Sequence, residues 1–486
     1  MTTRATGEAL VPPSLDDPVV RGLSTMVGGP VGRHARLGGN GRWTPVRILV
    51  LLTVLTCSLG WWQKSTCRVH PWTQEYQYTR LCYTDVFALY YAEGLDKGER
   101  PYLDHPVEYP VLIGGLMAVG ADAVRVLPPP LRARAFYDLT AAILALCAVA
   151  LALTTSRLAG RRRPWDAAMV ALAPVLVLEG TINWDLAAGA LTGLAMLAWA
   201  RRRPAWAGVF LGLGTATKLY PALLLLPLFL LCLRAGRLRP WAISLAAAVV
   251  AWLVVDVPVW VAAPSGFARF FVFSRTRGVD WGSLWYAVEH VRGRALDAAT
   301  APGASPTRLN ALVTMTLVVG LVGVAVLALR CRRRPRVAQV MFLTLVVFLL
   351  TNKVYSPQYS LWLLPLAVLA RPRWRAFLAW QVTEVLEFVG VFYYLIGVDK
   401  AGQGLPFSWF FGSVLLRDAV LVGLAALVVR EVLHPELDVV RRDGVDDPAG
   451  GVLDGAPDRA GWWPPKPARR LAGLGSPTPE PAVPVG

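Results

Sequence analysis

The sequence has few charged residues: Asp, Glu, Lys and Arg make up 17% of its 486 positions, whereas soluble globular proteins contain about 25%. Hydrophobic residues make up 55%, and the mean hydropathy is +0.47. The apolar residues form long uncharged runs, for example 139–156 and 309–329. A bilayer core about 30 Å thick requires about 20 apolar residues of helix. These runs therefore exclude a soluble protein and predict membrane-spanning helices.

Acidic residues are scarcer than basic ones, and the net charge is +17. The sequence nevertheless lacks the basic domain that a nucleic-acid-binding protein requires. Its Arg residues instead form short clusters between apolar runs, at 161–163, 201–203, 234–239, 330–336 and 371–375. The positive-inside rule places such clusters in cytoplasmic loops. We expect the arginine clusters and both termini on the cytoplasmic side, and no nucleic-acid partner.

Three further features are missing. The glycines at 212–215 (GLGT) are too few for a phosphate loop and precede no predicted strand, which argues against nucleotide binding. No small-residue cleavage site follows the first apolar run at 48–62, so we interpret this run as an uncleaved first span. No internal repeat of the kind common in transporters is visible.

Thirteen apolar segments predict an all-α, polytopic transmembrane bundle of about twelve spans with a large first outer loop. An even number of crossings is needed if both termini are inside, so one segment fails to cross. The weakest is 107–127, which contains Asp122 and Arg125. We divide the chain into a disordered cytoplasmic N-terminus at 1–44, a transmembrane domain at 45–430 and a disordered cytoplasmic tail at 431–486, because the ends are too polar and too rich in Gly and Pro to fold alone.

Two of the six cysteines, Cys67 and Cys82, fall in the polar loop after the first span. An extracytoplasmic loop permits a disulfide, and a bridge across about 15 residues contributes about 3 kcal/mol in the chain-entropy model. The alternative is two free thiols.

Several polar residues in the first outer loop are candidates for chemistry. Asp85 lies in a Tyr-rich stretch (CYTDVFALYY), where it is either a general base or the N-cap of a helix. Asp104, His105 and Glu108 are a weak candidate for a divalent metal site. Tyr109 follows directly, at the start of an apolar run.

Other candidates interrupt the apolar runs further along the chain. Asn183 and Asp185 separate two runs, and Lys218 separates two more. A charge at the edge of a span is a functional candidate by default; the alternative for Lys218 is snorkelling to the headgroups. Arg275 and Arg277 are candidates for holding a phosphate, and the nearby Trp281 and Trp285 either stack on a sugar or belong to the interfacial belt.

A late polar turn contains Asn352, Lys353, Tyr355 and Gln358, which form either part of a polar site or a capped turn. Two charged pairs fall inside predicted spans, Glu384 with Glu387 and Arg417 with Asp418. The simplest interpretation of these pairs is ion pairing between helices, although the glutamates also favour transport.

The order of these motifs resembles a known family. The outer Asp in a Tyr-rich segment is followed by Gly98, Tyr102 and Tyr109-Pro110, then by NWD and ARRRPAWAGVFLGLGTATKLYP, and finally by SPQYSLWLLP. Over residues 45–430 the chain is similar to glycosyltransferase family 87, polyprenol-phosphate-sugar-dependent membrane enzymes of the GT-C superfamily. Members often have a His in the late motif, where this chain has Gln358.

The resemblance implies transfer of mannose, or a related hexose, from a polyprenyl-phosphate donor to a lipid- or glycan-linked acceptor outside the cytoplasmic membrane. It implies that Asp85 is the base and that Lys218, Arg275, Lys353 and Tyr220 bind the donor. Glu108, Tyr109, Asn183, Asp185, Tyr355 and Gln358 would then line the acceptor site. No cofactor is expected, a divalent metal being a minor alternative. A lipid-linked glycan transporter or flippase and a non-catalytic assembly subunit are the competing functions.

Overall fold

The computed structural model describes residues 17–28, 43–69, 72, 74–297, 304–442 and 444–459. The regular secondary structure of this part of the chain consists of helices joined by loops. Its first half contains α1 (Pro18–Gly28), α2 (Pro45–Gln63), α3 (Ser65–Val69), α4 (Gln74–Thr79), α5 (Asp85–Ala92), α6 (Val111–Val124), α7 (Pro129–Leu158), α8 (Ala168–Ala171), α9 (Pro174–Glu179), α10 (Asp185–Ala200) and α11 (Pro204–Thr217).

The second half contains α12 (Tyr220–Leu223), α13 (Leu225–Ala235), α14 (Leu238–Ala262), α15 (Pro264–Thr276), α16 (Leu284–Arg292), α17 (Thr307–Arg330), α18 (Val337–Thr351), α19 (Ser360–Ala370), α20 (Trp374–Asp399) and α21 (Phe407–Leu433). Single 3-10 turns lie at Pro164–Ala167, Pro357–Tyr359, Pro435–Leu437, Val439–Arg441 and Gly451–Leu453.

Six of the described helices are long and apolar enough to cross a bilayer: α2, α7, α14, α17, α20 and α21. Shorter apolar helices, among them α10, α18 and α19, pack between them in a continuous apolar core. The prediction of an all-α, multi-pass membrane protein is confirmed. The total of about twelve crossings stays a prediction, because many of the apolar helices are shorter than a bilayer core.

The short helices have chemically different ends. Helix α10 begins at Asp185 and ends before Arg201. Helix α11 begins after Arg203 and ends before Lys218, and α18 begins after Arg336 and ends before Asn352. The bundle therefore has one end with the arginine clusters, the arginine end, and one end with the polar candidates, the loop end. Helices of 14 to 16 residues extend over about 21–24 Å at 1.5 Å per residue, which separates the two sets of charges.

Helix α6 does not connect the two ends. Its first turn is bound to the outer loop, since the Gly114 amide donates to the Tyr102 hydroxyl at 3.2 Å. Immediately after its last turn, the guanidinium of Arg125 packs against Gly98 of the same loop. Segment 107–127, the weakest predicted span, therefore begins and ends beside one loop.

The first outer loop is fixed at its start. Cys67 and Cys82 form a disulfide, with their Cα atoms 6.1 Å apart. Beside it the buried Lys64 ammonium donates to the carbonyls of Tyr83, at 2.8 Å, and Leu178, at 3.3 Å. These contacts hold the residues that precede Asp85 against α9.

The structure corrects the predicted ends of the folded domain. Helix α21 continues to Leu433, and residues 434–442 and 444–459 pack across the arginine end instead of forming a disordered tail. Helix α1 is likewise ordered within the predicted N-terminal tail, and the Asp17 carboxylate before it accepts from the Trp374 amide at 3.0 Å. The remaining tail predictions, including 460–486, lie outside the described residues.

The C-terminal segment is ordered because it supplies acids to buried arginines. Arg336 is paired with Asp438 at 2.7 Å, and both side chains are nearly inaccessible. Arg234 is paired with Asp458 at 2.7 Å. Removing one partner of a buried ion pair leaves an uncompensated charge, which is strongly destabilising.

We predict that Asp438→Ala lowers the free energy of unfolding by about 3–5 kcal/mol, since Arg336 would be left unpaired in the interior. Glu436→Ala is the matched control, because its salt bridge with His434 is exposed and such pairs contribute about 0–1 kcal/mol. Thermal unfolding of the purified protein in detergent tests both variants. Equal melting temperatures for the two would contradict the prediction.

Candidate functional site

Asp85 lies at the loop end, in the first turn of α5. The helix is capped by Thr84, whose hydroxyl accepts from the Val86 amide at 3.2 Å. The Asp85 carboxylate is therefore not the N-cap, and it accepts two side-chain hydrogen bonds instead. The Tyr83 hydroxyl donates to Oδ1 at 2.5 Å and the Asn183 amide to Oδ2 at 2.9 Å. Each oxygen keeps lone pairs available for a further donor.

Asn183 joins the two halves of the site. Its amide nitrogen donates to the Asp85 carboxylate and, at 2.9 Å, to the Tyr109 hydroxyl. Its amide oxygen accepts from the Trp184 main chain at 2.7 Å, which fixes the orientation of the side chain. The short turn between α9 and α10 thereby connects the first outer loop with Tyr109.

Lys218 belongs to the same group of half-buried polar side chains as Asp85 and Tyr109. The space that these side chains border is called the cavity. The Lys218 ammonium lies 3.5 Å from the Asp185 carboxylate and 5.0 Å from the centre of the Tyr109 ring. The ammonium therefore points into the bundle, which contradicts the snorkelling interpretation. Asp185 also accepts from the Trp362 indole at 2.7 Å, so this fully buried carboxylate balances the lysine charge and fixes its position.

Tyr220 supports the Trp362 ring from within the core, and its hydroxyl is bound to another side chain of the protein. It is buried, its hydroxyl shares a hydrogen bond with Thr192 at 3.1 Å, and its ring stacks on Trp362 at 4.5 Å. The other face of Trp362 stacks on Tyr359 at 3.9 Å. The half-buried Tyr359, which the sequence analysis did not select, therefore occupies the position nearer the cavity.

The second outer loop comprises residues 264–308 of the sequence. Of its two candidate arginines, Arg275 and Arg277, it is Arg277 that faces the site. Its guanidinium binds the Asp280 carboxylate at 3.0 Å and interacts electrostatically with Glu108, Tyr109 and Tyr359. The Arg275 side chain is exposed, whereas its main-chain carbonyl accepts from the side chains of Ser305 and Asn310. The structure therefore places Arg277, and not the selected Arg275 two residues earlier, beside Glu108 and Tyr109.

The ammonium of Lys353 is fully occupied by acceptors of the protein. It donates to the carbonyls of Arg277 at 2.6 Å and Arg275 at 3.2 Å, and to the Asn310 side chain at 2.7 Å. Burial, together with the Arg277 charge, lowers the pKa of Lys353 to about 8. An ammonium with three protein acceptors has no donor left, so Lys353 holds Arg277 in place and does not meet a ligand phosphate.

The Glu108 carboxyl interacts electrostatically with several charges of the site. Burial raises the pKa of its carboxyl, and the Asp85 carboxylate adds to the increase, whereas Arg277, Arg269 and Lys218 oppose it. The half-buried carboxyl of Glu108 thus interacts with Asp85 of the first outer loop, with Lys218 after α11 and with Arg277 after α15. The structure brings Asp85, Lys218 and Arg277 together at the loop end.

The remaining candidates lie below or beside the cavity. Tyr355 is buried, with the Arg417 guanidinium 3.7 Å from its ring centre. Gln358 is also buried, in the 3-10 turn that precedes Tyr359. The possible metal ligands diverge, because Asp104 is bound by Arg100 and His105 by Glu99, whereas Glu108 faces the cavity. Among the described residues, no group of three or more potential ligands converges on one point.

Comparisons with known proteins decide the family. The sequence profile of glycosyltransferase family 87 matches residues 109–352, half of the chain. The chain belongs to glycosyltransferase family 87. No curated protein sequence matches it. A solved structure of ArnT from Cupriavidus metallidurans, bound to undecaprenyl phosphate, is similar over 80% of this chain and 77% of that one, at 15% identity and a TM-score of 0.40.

The part of the chain that matches family 87 includes Tyr109, Asn183, Lys218 and Arg277, but not Asp85, which lies upstream. Because Asp85 is hydrogen-bonded to Asn183, the tertiary structure joins it to the matched region. Tyr83 and Tyr359 were missed by the sequence analysis, since each is one of many aromatic residues near a span. Their proximity to Asp85 and to Trp362, respectively, is visible only in the fold.

We predict that Asn183→Ala lowers the rate of glycosyl transfer by about 10- to 100-fold, corresponding to the 1–3 kcal/mol of leaving a buried partner unsatisfied. Asp85 and Tyr109 would lose their shared donor, although no charge is removed. The turnover number in detergent-solubilised membranes measures the effect. Wild-type turnover in the folded variant would show that Asn183 does not position Asp85.

Proposed function

We propose that the protein is an inverting membrane hexosyltransferase that moves a hexose, mannose by preference, from a polyprenyl-phosphate donor to a lipid- or glycan-linked acceptor. The supporting observation is the group of charges at the loop end: the half-buried Glu108 interacts electrostatically with the Asp85 carboxylate, Lys218 and Arg277. Asn183 also joins Asp85 to Tyr109, whose ring lies beside the Lys218 ammonium. A carboxylate opposite two cations suits a reaction that removes a proton from one group and leaves negative charge on another.

Asp85 is the proposed base. Its carboxylate accepts the proton of an acceptor hydroxyl while the hydroxyl oxygen attacks the anomeric carbon of the donor sugar. The bond between this carbon and the phosphate oxygen breaks, and the lipid phosphate leaves. Tyr83 and Asn183 each donate to one carboxylate oxygen and so hold the base in one orientation during the attack.

Arg277 and Lys218 are the proposed ligands of the donor phosphate. Arg277 combines charge with the planar donors that suit phosphate, and Lys218 adds a point charge. Both are already held by acids, Asp280 and Asp185, so little side-chain freedom is lost when the donor binds. These cations balance the leaving-group charge, and the proposal includes no metal ion or organic cofactor.

The site fits a lipid-borne donor because of its depth. Lys218 and Asp185 lie at the ends of apolar helices, so a phosphate bound there leaves its polyprenyl chain beside the bundle. The arginine clusters occupy the opposite end and favour the cytoplasmic side. We accordingly propose that the cavity opens on the outer face of the cytoplasmic membrane. Glu108, Tyr109 and Tyr359 border the space left for the acceptor.

We predict that Asp85→Asn lowers transfer by about 10²- to 10⁴-fold, the usual contribution of a general base. Asp96→Asn is the matched control, because Asp96 is an exposed acid of the same loop. The assay uses membranes that contain equal amounts of each variant, radiolabelled polyprenyl-phosphate mannose and extraction of the labelled lipid. Undiminished transfer by the Asp85 variant would remove this residue from the mechanism, and glucose-labelled donor tests the choice of sugar.

We predict that Arg277→Gln raises the apparent KM for the donor by about 10- to 100-fold, since a hydrogen bond to a charged group contributes about 1.5–3 kcal/mol. Arg275→Gln should leave this KM within about twofold, because a side chain that lies on the surface away from the cavity contributes little. The donor-concentration dependence of transfer decides between the two arginines. A larger effect from Arg275 would refute the assignment.

A further inference from the structure

A fully buried arginine, Arg417, lies in α21 beneath the loops that form one side of the cavity. Its side chain is inaccessible, and it is paired with Glu387 of α20 at 3.3 Å and with its neighbour Asp418 at 2.9 Å. Charged residues inside membrane helices are expensive, and they mark functional sites by default. The two acids explain how the charge is tolerated, whereas its other contacts show what the guanidinium does.

These other contacts reach two loops of the site. One of them, loop 276–283, begins at the last residue of α15 and leads to α16; it is called the first loop in this subsection. The other, loop 352–356, follows α18 and is called the second loop. Arg417 Nη2 donates to the Gly282 carbonyl of the first loop at 2.6 Å. Its guanidinium plane also lies 3.7 Å from the ring centre of Tyr355 in the second loop. One planar side chain therefore contacts both loops from below.

The two loops are also bound to each other, and the connection ends at Arg277. The Asp280 amide donates to the Lys353 carbonyl at 2.8 Å. The Asp280 carboxylate accepts from Arg277 at 3.0 Å and from the Ser356 hydroxyl at 3.4 Å. Arg417 is thus linked through Gly282 and Asp280 to the guanidinium that faces the cavity.

Gly282 allows the loops to approach so closely. A Cβ atom added at this position would lie 2.3 Å from the Tyr355 carbonyl oxygen and 3.1 Å from a Glu387 carboxylate oxygen. A main-chain atom cannot give way as a flexible side chain can, so any larger residue separates the loops. Gly278 of the same loop has open space around it, with nothing within 4 Å of such an atom.

We infer that Arg417 is a positioning residue for donor binding: it fixes loop 276–283 against loop 352–356 and so presents Arg277 to the donor phosphate. The inference rests on the proposed function, in which Arg277 binds that phosphate. Arg417 itself does not touch the donor. Its effect is to restrict the freedom of the loop before binding, which reduces the entropy lost when the donor is bound.

This role differs measurably from a purely structural one. A residue needed only for folding lowers the amount of active protein, and the surviving molecules bind the donor normally. A positioning residue raises the donor KM of folded molecules, and its effect disappears when Arg277 is absent. Hydrogen exchange of residues 276–283 reports the order of the loop without requiring any turnover.

The decisive comparison is Gly282→Ala against Gly278→Ala in the full-length protein, in detergent or nanodiscs. We expect Gly282→Ala to raise the donor KM about tenfold, equivalent to 1.4 kcal/mol of lost binding, and to accelerate exchange locally in 276–283. Gly278→Ala should change neither. Equal KM values and equal loop exchange in the two variants would overturn the inference, as would faster exchange throughout the molecule at an unchanged KM.

Arg417→Lys provides a second, independent perturbation. A lysine keeps the charge beside Glu387 and Asp418 but lacks the planar fork that reaches Gly282 and covers Tyr355. We expect a higher donor KM with turnover per folded molecule changed less. Combined with Arg277→Gln, it should add almost nothing, because interacting residues are not additive; full additivity would overturn the inference.

The two proposals fail in distinguishable ways. If the wild-type protein transfers no sugar from any polyprenyl-phosphate donor, the proposed function is wrong. Loop exchange and binding of unsubstituted polyprenyl phosphate, measured by native mass spectrometry, still compare Gly282→Ala with Gly278→Ala. If transfer occurs but the two variants behave alike in every measurement, only the role of Arg417 is wrong.

Discussion

The site depends on one amide side chain, that of Asn183, which donates to the Asp85 carboxylate and to the Tyr109 hydroxyl. Asp85 comes from the first outer loop and Tyr109 from the chain before α6, whereas Asn183 lies between two core helices. Without this bridge the Asp85 main chain would still be bound to the Ile182 carbonyl, but its carboxylate would lose the donor that connects it with Tyr109 and would keep the hydrogen bond from Tyr83. Buried hydrogen bonds of this kind specify one arrangement because each broken partner is expensive.

Five basic side chains around the site are held by carboxylates or by main-chain carbonyls. Lys218 is held by Asp185, Arg277 by Asp280 and Arg417 by Glu387 and Asp418, whereas Lys353 and Lys64 donate to carbonyls. Charges at the depth of a membrane are tolerated only in this way. The same pairing fixes their positions, so the contacts that stabilise the bundle also orient the charges of the site.

The arginine end follows the same rule with a different consequence. Its arginines are neutralised by Asp438, Asp446 and Asp458 from the segment after α21. The composition of that segment indicated disorder, because it has too few apolar residues to fold alone. It folds on the bundle, where ion pairing with buried arginines supplies the stabilisation that its own residues lack.

The sequence alone determined the membrane class, the helical fold, the positions of the arginine clusters and the family, because long apolar runs and the order of motifs are properties of the chain itself. It also selected Asp85 and Lys218 as candidate site residues, since a charge beside an apolar run stands out in any sequence. The tertiary structure decided that Arg277 rather than Arg275 faces the cavity and that Lys353 is already occupied. Two arginines in one loop, or two lysines at helix ends, look equivalent in sequence. Only the packing of loops 276–283 and 352–356 fixes which side chain faces Glu108 and Tyr109 and which one is bound by the protein.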